Sequence, residues 1–251
     1  MRLLLIRHAQ SGNNAVADAS HGDYSTFMAT RSSDPPLTPT GERQAELLAA
    51  YVATMDDGID AIHERMSSYL RLHPVTRLYV SPMQRALQTA QPLAAALDLT
   101  PEVWVDIHEH GGIFTGSKEA GNVQGFPGLN RAEIAARFPT YVIGAGVDEN
   151  GWWQGGYEEL AECDARAARV AQTLRTWAGA QPDATIALVT HGTFLNSLIH
   201  ALLQLPPSTL DHVYFSHLNT ALTRLDFLQD GELSVRYHNR ITHLPVEYLT
   251  R

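Results

Sequence analysis

The chain has 251 residues, enough for one large α/β domain or two small ones, and its 44% hydrophobic and 18% charged content is that of an ordinary globular protein. With 27 Asp and Glu against 18 Lys and Arg the formal net charge is -9, which excludes the broad basic face that nucleic acid or an anionic membrane requires. The single cysteine, Cys163, excludes an intramolecular disulfide and fits a reducing cytoplasm.

In chain order, the first predicted strand is Leu3–Ile6, which runs into Arg7-His8 and a small polar loop. Four apolar residues are too few for a signal-peptide core, and no run approaches the roughly 20 that span a bilayer. The expectation is a cytoplasmic protein with no membrane partner. Ala15–Pro36 is polar and rich in small residues and reads as a long loop. "LTPTGERQAELLAAYVATM" reads as a helix capped by Thr38, with Pro39 at its first position. After a strand at Arg77–Val80, "SPMQRALQTAQPLAAAL" repeats the device with Ser81 and Pro82, and Pro92 predicts a kink or break.

A strand at Val103–Ile107 leads to Gly111–Gly156, which holds glycines throughout and a short helical piece around Arg131–Phe138. Connections this long are usually lids or binding loops. The next helix carries Leu160, Cys163, Ala167, Val170 and Leu174 on one face, with Gly179 as its expected end. Ile186–Val189 then runs into Thr190-His191-Gly192. Leu222–Phe227 and Leu233–Tyr237 flank "QDGE", an Asp-Gly hairpin turn. The alternation predicts an α/β fold with a mostly parallel central sheet, helices on both faces and an antiparallel edge hairpin near the C-terminus. We expect one domain over 1–251 with a lid-like insertion at about 111–156.

His8 and His191 share a setting. Each ends an apolar strand and is followed by small residues, where open α/β sheets place anionic ligands against helix N-termini. Arg7 adjoins His8, and Arg85 lies at another strand's carboxyl end; guanidinium forks match phosphate oxygens.

Six blocks carry a resemblance to a known family: "RHAQSGNN", "LTPTGERQA", "SPMQRALQTA", "HEHGG", "VTHG" and "NTALTRLDF". In this order, from Arg2 to Phe227, they resemble the histidine phosphatase superfamily, which includes the cofactor-dependent phosphoglycerate mutases. The resemblance implies that His8 is the nucleophile and forms a phosphohistidine. It implies that Arg7, Asn14, Arg85 and His191 hold the phosphate, with His191 also counted among the catalytic residues. Glu109 would protonate the leaving oxygen and then activate water, with Asp106 as its rival three residues earlier. His8 must be neutral to attack, which neighbouring cations favour.

Ala9 stands where the family has glycine. Between His8 and Leu37 the chain lacks the mutases' Gly-Trp pair, and the insertion lacks their basic cluster, which favours a phosphatase over mutase-type transfer; with no recognisable metal set, the phosphatase is expected to be metal-independent. The expected partner is a small phosphorylated substrate, with no cofactor and no nucleic acid; monomer and homodimer both remain open. Two rival readings stand beside this one. "HEH" could present His108 and His110 on one side of a strand as metal ligands, but no further carboxylate-histidine set completes a site. A catalytically silent phospho-ligand binding protein could use the same fold, although the whole reactive set is retained. His21, His217 and His243 read as structural or solvated, and Trp152 and Trp153 as packing for the insertion.

Overall fold

The computed structural model describes residues 1–55, 74–206 and 212–251. Among them, seven strands form one sheet in the order β6-β3-β2-β7-β1-β8-β9. These are β1 (Arg2–Arg7), β2 (Arg77–Val80), β3 (Glu102–Val103), β6 (Val142–Ile143), β7 (Thr185–Thr190), β8 (Leu222–Phe227) and β9 (Leu233–Arg240). The pairs β1/β7, β7/β2, β2/β3 and β3/β6 are parallel, whereas β8 and β9 add an antiparallel edge. A separate two-stranded ribbon joins β4 (Phe114–Thr115) to β5 (Gln124–Gly125). The mostly parallel sheet and the C-terminal hairpin agree with the sequence reading.

Strands buried on both faces need apolar residues on both, and Leu3–Ile6 of β1 and Ile186–Val189 of β7 supply them. Leu4, Ile6, Ala187 and Val189 pack into a core under α3 (Pro39–Ala53) and α4 (Gln84–Leu97). Leu3, Leu5, Ile186 and Leu188 pack into another, under α6 (Leu160–Ala180) and α7 (Gly192–Leu202). Alternation along two strands thus places helices on both faces. Segment 111–156 also feeds the first core through Ile134, Phe138, Tyr141, Val147 and Trp152. Its helix α5 (Arg131–Arg137) is capped by Asn130 and Glu133, and β6 lies at the sheet edge.

Several elements differ from the sequence reading. Ala15–Pro36 is not one loop but holds most of α1 (Gly12–Ala19) and all of α2 (Tyr24–Thr30). Side-chain caps start both: Ser11 and Asn14 form a reciprocal box, and Asp23 accepts from Ser25 and Thr26 N–H. The strand expected at Val103–Ile107 stops at Val103, and Val105–Ile107 winds into a 3-10 turn. There Thr190 Oγ1 donates to Ile107 O at 2.6 Å, and Arg166 donates to Asp106 O and His108 O.

Ser81 does not cap α4; Met83 holds that position. Ser81 N–H instead continues the ladder by donating to Val189 O, and its hydroxyl pairs with His191. The helix also runs through Pro92, where Leu87, Ala90, Leu93 and Ala94 bury one face and offset the lost hydrogen bond. On α6, Leu160 is 48% exposed and Arg166 is buried in its place, clasped by both carboxylate oxygens of Glu158.

Candidate active site

Four neighbouring parallel strands deliver the site. Arg7 is paired with Thr190, so β1 and β7 end level, and His8 N–H donates to Thr190 O at 2.8 Å. The rings of His8 and His191 lie 5.0 Å apart. On the other side of β7, β2 leads through Ser81 to Arg85 in the first turn of α4. Beyond it, β3 and the 3-10 turn lead to Glu109. The structure therefore brings together His8, His191, Arg7, Arg85 and Glu109 from regions up to 184 positions apart.

His8 has a fixed tautomer. Its Nδ1 lies 2.7 Å from Ala9 O, which can only accept, so Nδ1 carries the proton. Its Nε2 then keeps a lone pair and accepts from Arg85 Nε at 3.2 Å. Burial, Arg85 and Arg7 together hold His8 well below the usual imidazole pKa, so the ring is neutral. Asn219 Nδ2 donates to His8 O at 3.0 Å, and Ala9 N–H donates to Thr89 Oγ1 at 3.0 Å. Ala9 is fully buried in this loop, so its methyl is accommodated.

His191 caps α7 and is fully buried, and burial followed by Arg85 keeps it well below its ordinary pKa. Its Nε2 meets Ser81 Oγ at 2.7 Å, while Nδ1 is buried without a partner among the described residues. Arg7 Nη1 donates to His217 O at 2.5 Å, and its Nε is likewise unpartnered. Arg85 is neutralised in part by Asp34, 3.6 Å away, whose carboxyl burial lifts to about 6. Asn14 has its Oδ1 committed to the Ser11 cap. Asn219 Nδ2 is 3.4 Å from that oxygen, which ties Asn14 to the His8 loop.

Glu109 is the better placed of the two acids. Its Oε1 accepts from Phe194 N–H at 2.9 Å and its Oε2 from Thr193 N–H at 3.3 Å, so the carboxyl sits on the first turn of α7 beside His191. Asp106 is exposed on the 3-10 turn. His108 and His110 do not share a strand, which removes the geometry of a metal pair. His108 packs on Trp152 and Trp153 with Glu158 at 3.7 Å, while His110 meets Tyr157. Among the described residues no group of three or more His, Cys, Asp or Glu is arranged to hold a metal.

Sequence reasoning missed Asp34, Asn219 and the pairing of Ser81 with His191. Asn219 lies within "NTALTRLDF", a block that was noticed only as a strand. Of the other histidines, His21 is exposed. His217 pairs with Phe215 O and Thr223, and His243 with Thr220.

The buried neutral histidines set an acid limit on stability. Burial lowers His217 to about 3 and His243 to about 4, against 6.5 when unfolded. Below pH 6.5 the unfolded chain takes up protons that the folded chain refuses, so stability falls as pH drops from 6.5 toward 4. By pH 5 each of these residues should cost about 2 kcal/mol. Asp34 works oppositely, since its raised pKa gives stability that is present at low pH and lost as pH rises through about 6. Thermal melts from pH 7.5 to 4.5 should show a steep fall in Tm below 6.5, weakened in His217→Asn. A flat profile would contradict the neutral buried imidazoles.

A parallel sheet that gathers histidines and arginines at its strand ends, with an antiparallel C-terminal edge, is the α/β fold of the phosphoglycerate mutase-like proteins. The chain belongs to the histidine phosphatase superfamily (branch 1), whose family model matches residues 61–240. That match includes Arg85, Glu109 and His191, while Arg7, His8 and Asn14 precede it. Structural neighbours share the fold at low identity. A mycobacterial glucosyl-3-phosphoglycerate phosphatase complexed with VO3 is 20% identical, with TM-score 0.56, covering 96% of this chain and 99% of that one. A mutant phosphoserine phosphatase from Entamoeba histolytica in complex with phosphoserine is 22% identical, with TM-score 0.56, covering 97% and 99%. A putative alpha-ribazole-5'-P phosphatase from Escherichia coli is 18% identical, with TM-score 0.57, covering 96% and 97%. Comparison with curated proteins gives no sequence match. Among the described residues no helix is long and apolar enough to cross a membrane.

Proposed function

We propose that the protein is a phosphatase that hydrolyses a small phosphomonoester through a phosphohistidine on His8, without a metal. The observation that carries this reading is the state of His8: a neutral imidazole with its Nε2 lone pair turned to Arg85 and buried cations around it. The buried Arg7 Nε and His191 Nδ1 lack partners among the described residues, which suits donors that await an anion. We assign phosphate binding to Arg7, Asn14, Arg85 and His191, and take 1–251 as one domain with 111–156 as the lid-like wall of the site.

In the first step a phosphoryl oxygen draws the Arg85 guanidinium away and frees the His8 lone pair. Nε2 attacks phosphorus, the ester P–O bond breaks, and its electron pair leaves on the alkoxide oxygen, which takes a proton from Glu109. Water then attacks phosphorus and Glu109 takes its proton. The N–P bond breaks, its electrons return to Nε2, and inorganic phosphate departs. Fixed cations around the moving phosphoryl group supply most of the stabilisation.

A screen of phosphomonoesters with and without chelator tests this reading. Turnover should survive the chelator unchanged. Its abolition, with rescue by zinc or manganese, would refute the metal-free mechanism. Net phosphoryl transfer to a second substrate molecule in place of water would favour the mutase reading, and binding without turnover the silent one.

A further inference from the structure

Arg166 is a buried cation that no step of the proposed hydrolysis uses. It belongs, with Cys163, Ala167 and Val170, to the buried set of α6 and is 3% exposed. A guanidinium carries five N–H donors, and here all five have acceptors. Nε donates to Glu158 Oε1 at 2.7 Å, and Nη2 donates to Glu158 Oε2 at 2.6 Å and to Cys163 Sγ at 3.5 Å. Nη1 turns both of its own to backbone, Asp106 O at 2.7 Å and His108 O at 3.0 Å. Those carbonyls belong to the segment that carries Glu109, and His108 O is part of the peptide link to Glu109 itself. Past the 3-10 turn Glu109 lies in neither strand nor helix, so its main chain is held from outside. Thr190 Oγ1 holds Ile107 O between the two carbonyls that Arg166 takes. On the far side Glu158 N–H donates to Gly111 O at 3.3 Å.

Arg166 reaches the carboxylate end of Glu109 as well. Its guanidinium carbon lies 4.6 Å from the centroid of the Phe194 ring. Phe194 N–H belongs to the first turn of α7, where no acceptor exists within the helix, and it donates to Glu109 Oε1 at 2.9 Å. One side chain therefore fixes the peptide before Glu109 and packs on the residue that holds its carboxylate. Stability alone does not call for this arrangement, because an ion pair buried so deeply is often no better than apolar residues of the same volume. An apolar pair, however, cannot donate to two carbonyls of one segment. A lysine ammonium lacks the planar fork that grips Glu158 on one edge and backbone on the other.

We propose that Arg166 is a positioning residue for Glu109: oriented by Glu158, it sets where the Glu109 carboxyl stands relative to the leaving oxygen. The inference rests on the phosphatase reading for the role of Glu109 as acid, and one arm of its test needs no turnover. Arg166→Lys keeps the charge beside Glu158 and gives up the fork. Displacing a reacting group by about 1 Å costs about 10²-fold, so kcat for alkyl phosphates should fall by about that factor with KM within about 3-fold. Phosphoryl transfer from nitrophenyl phosphate to His8, whose leaving group needs little acid, should change by less than about 3-fold. Added to Glu109→Gln, Arg166→Lys should cost alkyl phosphates no more than about 2-fold further, because both act through one carboxyl. Glu158→Leu with Arg166→Met removes both charges together, leaves no unpaired carboxylate in the core, and should show the same selectivity. In the arm without turnover, hydrogen exchange at Thr193 and Phe194 N–H should quicken by about 10-fold in Arg166→Lys, while Leu4 and Leu188 of the central strands exchange as in the native protein.

Equal losses on both substrates, no loss on either, or full additivity with Glu109→Gln would overturn the proposal. Unchanged exchange at Thr193 and Phe194, or faster exchange throughout the sheet, would overturn it too. Because the two substrates are compared within one protein, a general loss of fold cannot mimic the selective result. If Glu109→Gln itself shows no dependence on the leaving group, the assignment of Glu109 as the acid fails, and the exchange arm still decides whether Arg166 holds it in place.

Discussion

His8→Ala is expected to lower turnover of every phosphomonoester by at least about 10⁴-fold, the scale of losing a covalent nucleophile. Among the described residues His191 is the only other imidazole in ring contact with His8, and its Nε2 is engaged by Ser81. No described neighbour therefore offers an equivalent attacking nitrogen. Rapid quenching with a labelled substrate should trap an acid-labile phosphoryl group on His8 in the native protein and none in the variant. Trapping on His191 would reverse the assignment of the two histidines. The fold should persist in the variant, because the loop stays anchored through backbone groups: His8 N–H to Thr190, His8 O to Asn219, and Ala9 N–H to Thr89.

Glu109→Gln is expected to act by leaving group. A protonated carboxyl lowers the barrier for expelling a poor alkoxide by about 10²–10⁴-fold, whereas nitrophenolate departs with little help. Hydrolysis of alkyl phosphates should therefore fall far more than phosphoryl transfer from nitrophenyl phosphate to His8. Dephosphorylation needs the base form, so the phosphohistidine should accumulate with the activated ester. The amide keeps acceptor capacity toward Thr193 and Phe194 N–H through its oxygen, which preserves the first turn of α7. Equal losses on both substrates, or a selective loss in Asp106→Asn instead, would move the role away from Glu109.

Much of this architecture was legible because the central strands are buried on both faces. Leu222–Phe227 was read with its observed limits beside the Asp-Gly turn that follows it; Arg77–Val80 was read with its limits, and Leu3–Ile6 to within a residue at each end, since continuous apolar runs beside charged or polar ends admit few alternatives. Val103–Ile107 misled for the same reason. Its apolar residues are real core members, but Ile107 reaches the second core from a 3-10 turn pinned by Thr190, a partner 83 positions away.

Helices α1 and α2 were missed because their signal lies in caps rather than in an apolar stripe, and α1 buries no residue at all. The site's histidines could be placed by their strand-end settings, and the roles of Glu109 and Asn14 came from family resemblance. Asp34 could not be found that way, because the Arg85 it faces is distant in sequence.

The strand order has a consequence for biosynthesis. Strand β1, first of the sheet to leave the ribosome, ends up between β7 and β8, which are among the last. Its β7 edge must wait until residue 190 has been made and its β8 edge until residue 226, the latter roughly 11 to 45 seconds at about 5–20 residues per second. During that interval Leu3 to Ile6 is an apolar strand with at least one open edge, the kind of segment that chaperones shield and that pairs wrongly between nascent chains. Such long-range pairing makes for slow folding. Because His8 is held by Thr190 and Asn219, its loop cannot set before that late closure. Vectorial synthesis therefore fixes the His8 imidazole only after the strands on both sides of β1 are made.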